Sequence, residues 1–228
     1  STKSEVVTQM IYGESFSISQ KKNKWLKIKI KEDNYKGYIQ SKNYSEYLKP
    51  THKINKLNAK IYKFSNTQLK INELTFGSKI KVTNKKSQFY KFTKGWISKH
   101  DVSTISFKEK NLFRKINIFK NIKYKWGGKS FKGIDCSALI QVCLNFNNTY
   151  CPRDAKDQFK YFKKNIRLKK IKKNDIIFWK NHVAVALNSK KLIHAYGPMK
   201  KTVIMEIDRT IKRIDKTASL KVIGIKRL

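Results

Sequence analysis

The sequence predicts an α+β protein in which two small β-barrels precede a mixed domain of helices and antiparallel strands. Three observations carry this. Apolar and polar residues alternate with a period of two through about the first hundred residues, and turn residues interrupt them at short intervals. The same stretch contains one layout twice. Beyond Lys108 the pattern changes to helical spacing and then to a series of apolar strands.

The first copy of the layout runs from Val6 to about Leu48. Val7, Gln9 and Ile11 alternate with their neighbours, and Leu26, Ile28 and Ile30 alternate with Trp25, Lys27 and Lys29. A turn at Glu32-Asp33-Asn34 leads to the aromatic strand at Tyr38. In the second copy Gly77 stands where Gly13 stands in the first, and Gly95-Trp96-Ile97 matches Gly37-Tyr38-Ile39. A glycine before an aromatic strand fits a tight turn where a side chain would clash. The expected domains are residues 1–50, 51–106 and 107–228. Within the third, Leu112, Ile116, Ile118, Phe119 and Ile122 predict a helix ended by Gly127-Gly128. Asp135 opens a second helix, with Leu139, Ile140, Cys143 and Leu144 on one face. After a polar stretch, Arg153 to Lys164, strands follow from Asp175, His182, Lys191, Val203 and Val222.

Composition narrows the function. With 39% hydrophobic and 12% aromatic residues among 228, the chain can bury a core, which excludes a disordered protein. No run of about 18 apolar residues is present, so no membrane-spanning helix is expected. Ser1 to Gln9 is polar rather than a leader's apolar core, so a cytoplasmic protein is expected, or a secreted or periplasmic one if a signal was removed. Three cysteines, Cys136, Cys143 and Cys151, make no disulfide framework and lack zinc-site spacing. With no phosphate-binding glycine loop either, neither metal nor cofactor is expected. The net charge of +38, from 53 Lys and Arg against 15 Asp and Glu, admits a polyanion-binding protein. The lysines lie in every region, however, and arginines are few, which favours solvated faces over specific nucleic-acid binding.

Chemistry concentrates in the last domain. Cys136 follows a Gly-Gly loop and Asp135, a good N-cap, so it falls in the first turn of a helix. There the helix N-terminus favours thiolate, and a free backbone N–H can face a developing oxyanion. His182 and His194 lie in successive strands, where residues at matching pleats become neighbours. A thiol, a base and a group that orients the base form the general pattern of an activated cysteine nucleophile.

The residues Tyr124-x-Trp126-Gly127-Gly128, Gly133-x-Asp135-Cys136-Ser137-x-Leu139-x-Gln141, Pro152-Arg153-Asp154-x-x-x-Gln158, Asp175-x-x-Phe178-Trp179, His182-Val-Ala-Val-Ala and Ile193-His194-Ala195 resemble the NlpC/P60 family of papain-like cysteine peptidases. The resemblance covers residues 108–228 and implies Cys136 as nucleophile, His182 as general base and His194 as the residue orienting it. It also implies that Tyr124 and the Cys136 backbone N–H hold the oxyanion. Gly13-Glu14 and Asp33-x-Tyr35-x-Gly37-Tyr38-Ile39 resemble bacterial SH3-like (SH3b) modules, and the second copy does so through Gly95-Trp96-Ile97.

Two such modules ahead of an NlpC/P60 domain look like the γ-D-glutamyl-L-diamino acid endopeptidases, which act on murein-derived peptides with a free N-terminal L-Ala. That resemblance implies Glu14, Tyr35 and Asp135 as partners of the substrate's α-ammonium, and Ser137, Arg153 and Asp154 as lining for D-Glu, with Trp126 among the substrate-binding residues. Arg153 suits a carboxylate of the substrate or a salt bridge within the fold. Ala155 stands where the family often has Ser, which removes one hydroxyl from the D-Glu contacts. The expected partner is thus an L-Ala-γ-D-Glu-diamino acid peptide met by a monomer, with no membrane. The alternatives are a secreted hydrolase of intact peptidoglycan and a basic polyanion-binding protein.

Overall fold

The computed structural model describes residues 5–42, 44–66 and 69–228. The chain divides into two compact units. One comprises Met10–Lys108 with Asn145–Tyr150; the other comprises the segment ending at Gln9, Glu109–Leu144 and Cys151–Leu228.

The first unit is all β apart from short turns. Strands β1 (Phe16–Lys22), β2 (Trp25–Ile30) and β3 (Lys36–Gln40) form an antiparallel sheet in chain order. Alternation sets its faces: Leu26, Ile28 and Ile30 are buried against Met10, Phe16, Tyr35 and Ile39, while Trp25, Lys27 and Lys29 point outward. The turn before β3 forms at Asn34, whose φ of 61° is left-handed, with the Asp33 carboxylate accepting the Tyr35 N–H at 3.0 Å.

The second copy contains β4 (His52–Ile54), β5 (Asn58–Tyr62), β6 (Lys70–Thr75), β7 (Lys79–Ile80), β8 (Asn84–Lys86), β9 (Phe89–Phe92), β10 (Gly95–Ser98) and β11 (Val102–Thr104). They make a five-stranded sheet, β6-β5-β10-β9-β8, and a three-stranded one, β11-β4-β7, around Ile54, Ala59, Ile61, Ile80, Phe92 and Ile97. The repeat is visible in the backbone: Gly13 and Gly77 have φ of 84° and 81°, a conformation other residues rarely adopt. Lys53 is buried in this unit, where its ammonium donates to the Phe107 and Phe146 carbonyls and to the Asn148 side chain.

The second unit is the α+β domain. A hairpin of β12 (Lys129–Ser130) and β13 (Gly133–Ile134) leads into α1 (Cys136–Phe146). Then come α2 (Ala155–Tyr161), β14 (Lys164–Asn165), β15 (Ile176–Trp179), β16 (His182–Ala186), β17 (Lys191–Tyr196), β18 (Lys201–Glu206), α3 (Ile207–Ala218) and β19 (Val222–Arg227). The strands form one antiparallel sheet in the order β14-β19-β15-β16-β17-β18.

Four expectations need correction. The helix expected over Leu112 to Ile122 is reduced to a 3₁₀ turn at Ile116–Phe119, because the isoleucines are weak helix formers, Asn favours local turns, and Asn121 has a φ of 67°. Helix α1 is buried on nearly all sides rather than on one face, with Asn145 its single partly exposed residue. Helix α3, which the sequence reading missed, interrupts the closing strands; its Ile207, Ile211 and Ile214 follow helical spacing and pack on the core. Finally, the alternation at Val7, Gln9 and Ile11 forms no strand, and the segment through Gln9 runs with the α+β unit.

Candidate active site

Asp135 caps α1 as its sequence position suggests: its Oδ1 accepts the Ala138 N–H at 2.8 Å and its carbonyl accepts the Leu139 N–H at 3.1 Å. This places Cys136 in the first turn. The Cys136 Sγ lies 4.0 Å from the Asn181 carbonyl and receives the Val183 backbone N–H. Residues 181 and 183 flank His182, so the Cys136 sulfur lies against the backbone at the start of β16.

The register of β16 against β17 pairs Val185 with Ile193 and Ala186 with Leu192. Continued along the strands, it makes His182 and His194 diagonal neighbours on one face. Their rings meet, His182 Nε2 to His194 Nδ1, at 2.9 Å. That contact leaves His182 Nδ1 as the ring nitrogen available to a thiol. His194 is fully buried and stacks on Tyr196, with centroids 4.6 Å apart and planes at 11°.

Burial governs the charge states. It lowers His182 to about 4 and His194 well below its ordinary value, so both rings are neutral near pH 7. Burial, then Asp135, pushes the Cys136 thiol up to about 12. Desolvation thus works against the thiolate that a helix N-terminus favours. Such a site suits proton transfer from sulfur to imidazole during attack rather than a standing ion pair. Burial, with Cys136 and Asp135 nearby, raises the Tyr124 phenol, which keeps it protonated and able to donate.

Asp135, Ser137 and Arg153 form one buried network. Arg153 Nη1 donates to Asp135 Oδ1 at 3.0 Å and to Ser137 Oγ at 2.9 Å, and Nη2 donates to Asp135 Oδ2 at 2.5 Å. Ser137 Oγ also donates to Asp135 Oδ1 at 3.2 Å, and the Gly127 N–H donates to Oδ2 at 2.9 Å. Of the two readings that the sequence allowed for Arg153, the salt bridge within the fold is present, its side chain only 1% exposed. Asp154 stands at the N-cap position of α2, and Trp126 is 53% exposed on the loop before Gly127. Glu14 and Tyr35 belong to the barrel unit: Glu14 Oε2 accepts the Ile11 N–H at 2.9 Å, and Tyr35 packs against Leu26, Ile28 and Ile30. The sequence reading missed Thr8, whose hydroxyl accepts Arg153 Nε–H at 2.8 Å; a contact so distant in sequence leaves no local signal. Among the described residues no cluster of His, Cys, Asp and Glu suits a metal, and no helix is long and apolar enough to cross a membrane.

Comparison with known proteins points the same way. Residues 121–216 match the NlpC/P60 family, and residues 1–43 match the bacterial dipeptidyl-peptidase Sh3 domain. The gamma-D-glutamyl-L-lysine dipeptidyl-peptidase of Bacillus subtilis is 25% identical over 92% of this chain and 79% of its own length. Dipeptidyl-peptidase 6 of Lysinibacillus sphaericus is 32% identical, over 43% of this chain and 36% of that protein. A crystal structure of an NlpC/P60 family protein from Bacillus cereus superposes with a TM-score of 0.80, covering 96% of this chain and 81% of that one at 19% identity, which establishes a common fold. Cys136, His182 and His194 all lie within residues 121–216, so the helix and sheet described above fall in the part of the chain that matches the NlpC/P60 family, a cysteine-peptidase-type hydrolase domain, behind a stretch that matches a bacterial SH3-like domain.

Proposed function

We propose that this protein is a cysteine endopeptidase that cleaves the γ-D-Glu–diamino acid bond of murein-derived peptides carrying a free N-terminal L-Ala. The observation that carries the chemistry is the Cys136 sulfur against the backbone on either side of His182, whose ring meets His194 at 2.9 Å. The similarity to a gamma-D-glutamyl-L-lysine dipeptidyl-peptidase along most of both chains supports the choice of bond.

In this reading the Cys136 thiol gives its proton to His182 Nδ1 as the sulfur attacks the γ-carbonyl of D-Glu. The Tyr124 hydroxyl and the Cys136 backbone N–H receive the oxyanion. His182 returns the proton to the departing amine, leaving a thioester on Cys136. Water, deprotonated by His182, then hydrolyses that thioester and frees the dipeptide. His194 fixes the ring plane of His182. A desolvated α-ammonium needs acceptors, and the carboxylate of Glu14 and the phenol of Tyr35 are of the type that supplies them. Ser137, Arg153 and Asp154 shape the D-Glu pocket, with Asp135 and Arg153 acting through the network they share, and Trp126 offers an exposed ring to the peptide.

The test compares L-Ala-γ-D-Glu-diamino acid with the same peptide acetylated at its N-terminus. Cleavage of the free peptide, at least about tenfold loss on acetylation, and no turnover by Cys136→Ala are expected. A Glu14→Gln variant raises KM for the free peptide. Equal cleavage of both peptides, or activity on intact peptidoglycan alone, removes the dipeptide-releasing assignment.

A further inference from the structure

We propose that Thr8 is a positioning residue for the nucleophile, acting through Arg153 on the Asp135 carboxylate and hence on the loop and helix turn that present Cys136. The segment Val6 to Gln9 lies along the nucleophile loop, meets it at two points and meets Arg153 at a third. Gln9 Oε1 accepts the Lys129 N–H at 2.9 Å. The Gly127 backbone, at a φ of 71°, passes so close that a Cβ there would lie 2.4 Å from the Val6 carbonyl oxygen. Thr8 Oγ1 accepts the Arg153 Nε–H at 2.8 Å.

The third tie differs from the others because of where it leads. A guanidinium is planar, so fixing Nε while Nη1 and Nη2 hold a carboxylate fixes the whole fork in one plane. Nη1 and Nη2 bind both oxygens of Asp135, at 3.0 and 2.5 Å. Those oxygens in turn receive the N–H groups of Gly127, on the loop, and Ala138, in the first turn of α1. Cys136 lies between these two anchor points. Without the Thr8 hydroxyl a buried N–H loses its acceptor, and the fork is free to tilt away from Asp135. The charged and titratable groups that act on the sulfur include Asp135, Arg153 and Tyr124; Asp135 is the one that Thr8 reaches through a single intermediary.

The inference rests on Cys136 being the nucleophile and not on the identity of the substrate, so the decisive measurement needs none. The rate of alkylation by iodoacetamide is followed against pH at the Cys136 peptide by mass spectrometry, for the parent, Thr8→Val, Thr8→Ser and Gln9→Ala. Valine keeps the shape of threonine without its hydroxyl. We expect Thr8→Val to move the pH midpoint of alkylation by at least half a unit, Thr8→Ser to restore it, and Gln9→Ala to leave it in place. With a cleavable peptide, Thr8→Val lowers kcat about tenfold or more while KM changes little, as a small misplacement of a reacting group does. An unmoved midpoint in Thr8→Val, an equal shift in Gln9→Ala, or failure of Thr8→Ser to restore the parent profile overturns the proposal. Melting temperatures recorded beside these rates separate a general loosening of the segment from the relay, since loosening also appears in Gln9→Ala. If Thr8→Val does not fold, Thr8→Ala is read by the same criteria.

Discussion

At the scale of single residues, the protonation pattern of the two histidines decides what the site does. For His182 Nδ1 to take the thiol proton, its own hydrogen must sit on Nε2 and be donated to His194 Nδ1. The hydrogen of His194 then sits on Nε2, which is buried without a partner among the described residues. A desolvated donor of that kind costs about 1–3 kcal/mol. An asparagine at 194 accepts from His182 through its amide oxygen and, like the imidazole, leaves N–H groups to the same buried surroundings. We therefore expect His194→Asn to keep kcat within about tenfold of the parent, and His194→Leu, which offers no acceptor, to lose about a hundredfold or more. Steady-state kinetics on the two purified variants check this; equal losses remove the orienting role. The pH profile follows from the same burial. Activity is lost as pH falls through the point where His182 protonates, so the acid limb of kcat/KM lies near 4 rather than near the ordinary imidazole value of 6.5. A limb at 6.5 shows a ring solvated in the working enzyme.

At the scale of elements, α1 depends on one charge pair. Asp135 caps the helix, anchors the Gly127 loop and neutralises Arg153, all within the interior. Removing one member leaves the other charged and buried, which costs about 3–5 kcal/mol, whereas replacing both is far milder. Arg153→Met alone should lower the melting temperature more than Arg153→Met combined with Asp135→Asn, because asparagine retains the oxygen that caps Ala138. The double-mutant cycle measured by denaturant unfolding gives the coupling directly. Additive losses show that the pair is independent.

At the scale of the whole molecule, two fields act on stability. Buried imidazoles stay neutral in the folded chain but take protons in the unfolded chain once pH drops below about 6.5. The unfolded state then binds more protons, so stability falls as pH is lowered from 6.5 toward 4, by up to about 1.4 kcal/mol per unit for each such histidine. Thermal melts from pH 7.5 to 4.5 should show this decline, and His182→Gln should reduce its slope. The net charge of +38 makes the compact state repel itself. Raising the salt from about 0.02 to 0.3 M shortens the screening length to well below the width of a domain, and the melting temperature should rise. A fall on adding salt shows that ion pairs outweigh the repulsion.

The sequence by itself determined what depends on local pattern. The alternation in β2 places Leu26, Ile28 and Ile30 inside, because side chains of a strand alternate between its faces. The paired glycines at 13 and 77 share a left-handed turn, and the aspartate at 135 caps the helix that starts at Cys136. The tertiary structure alone decided what depends on distance and desolvation. It withheld a full helix from residues 112–122, whose apolar spacing was helical but whose Asn117 and Asn121 favoured turns. It brought Thr8 to Arg153, which lie 145 positions apart. It also set burial against the helix N-terminus at Cys136, because the helix N-terminus is a local and legible effect, whereas removal of the thiol from water, which raises its pKa, is set by everything packed around it.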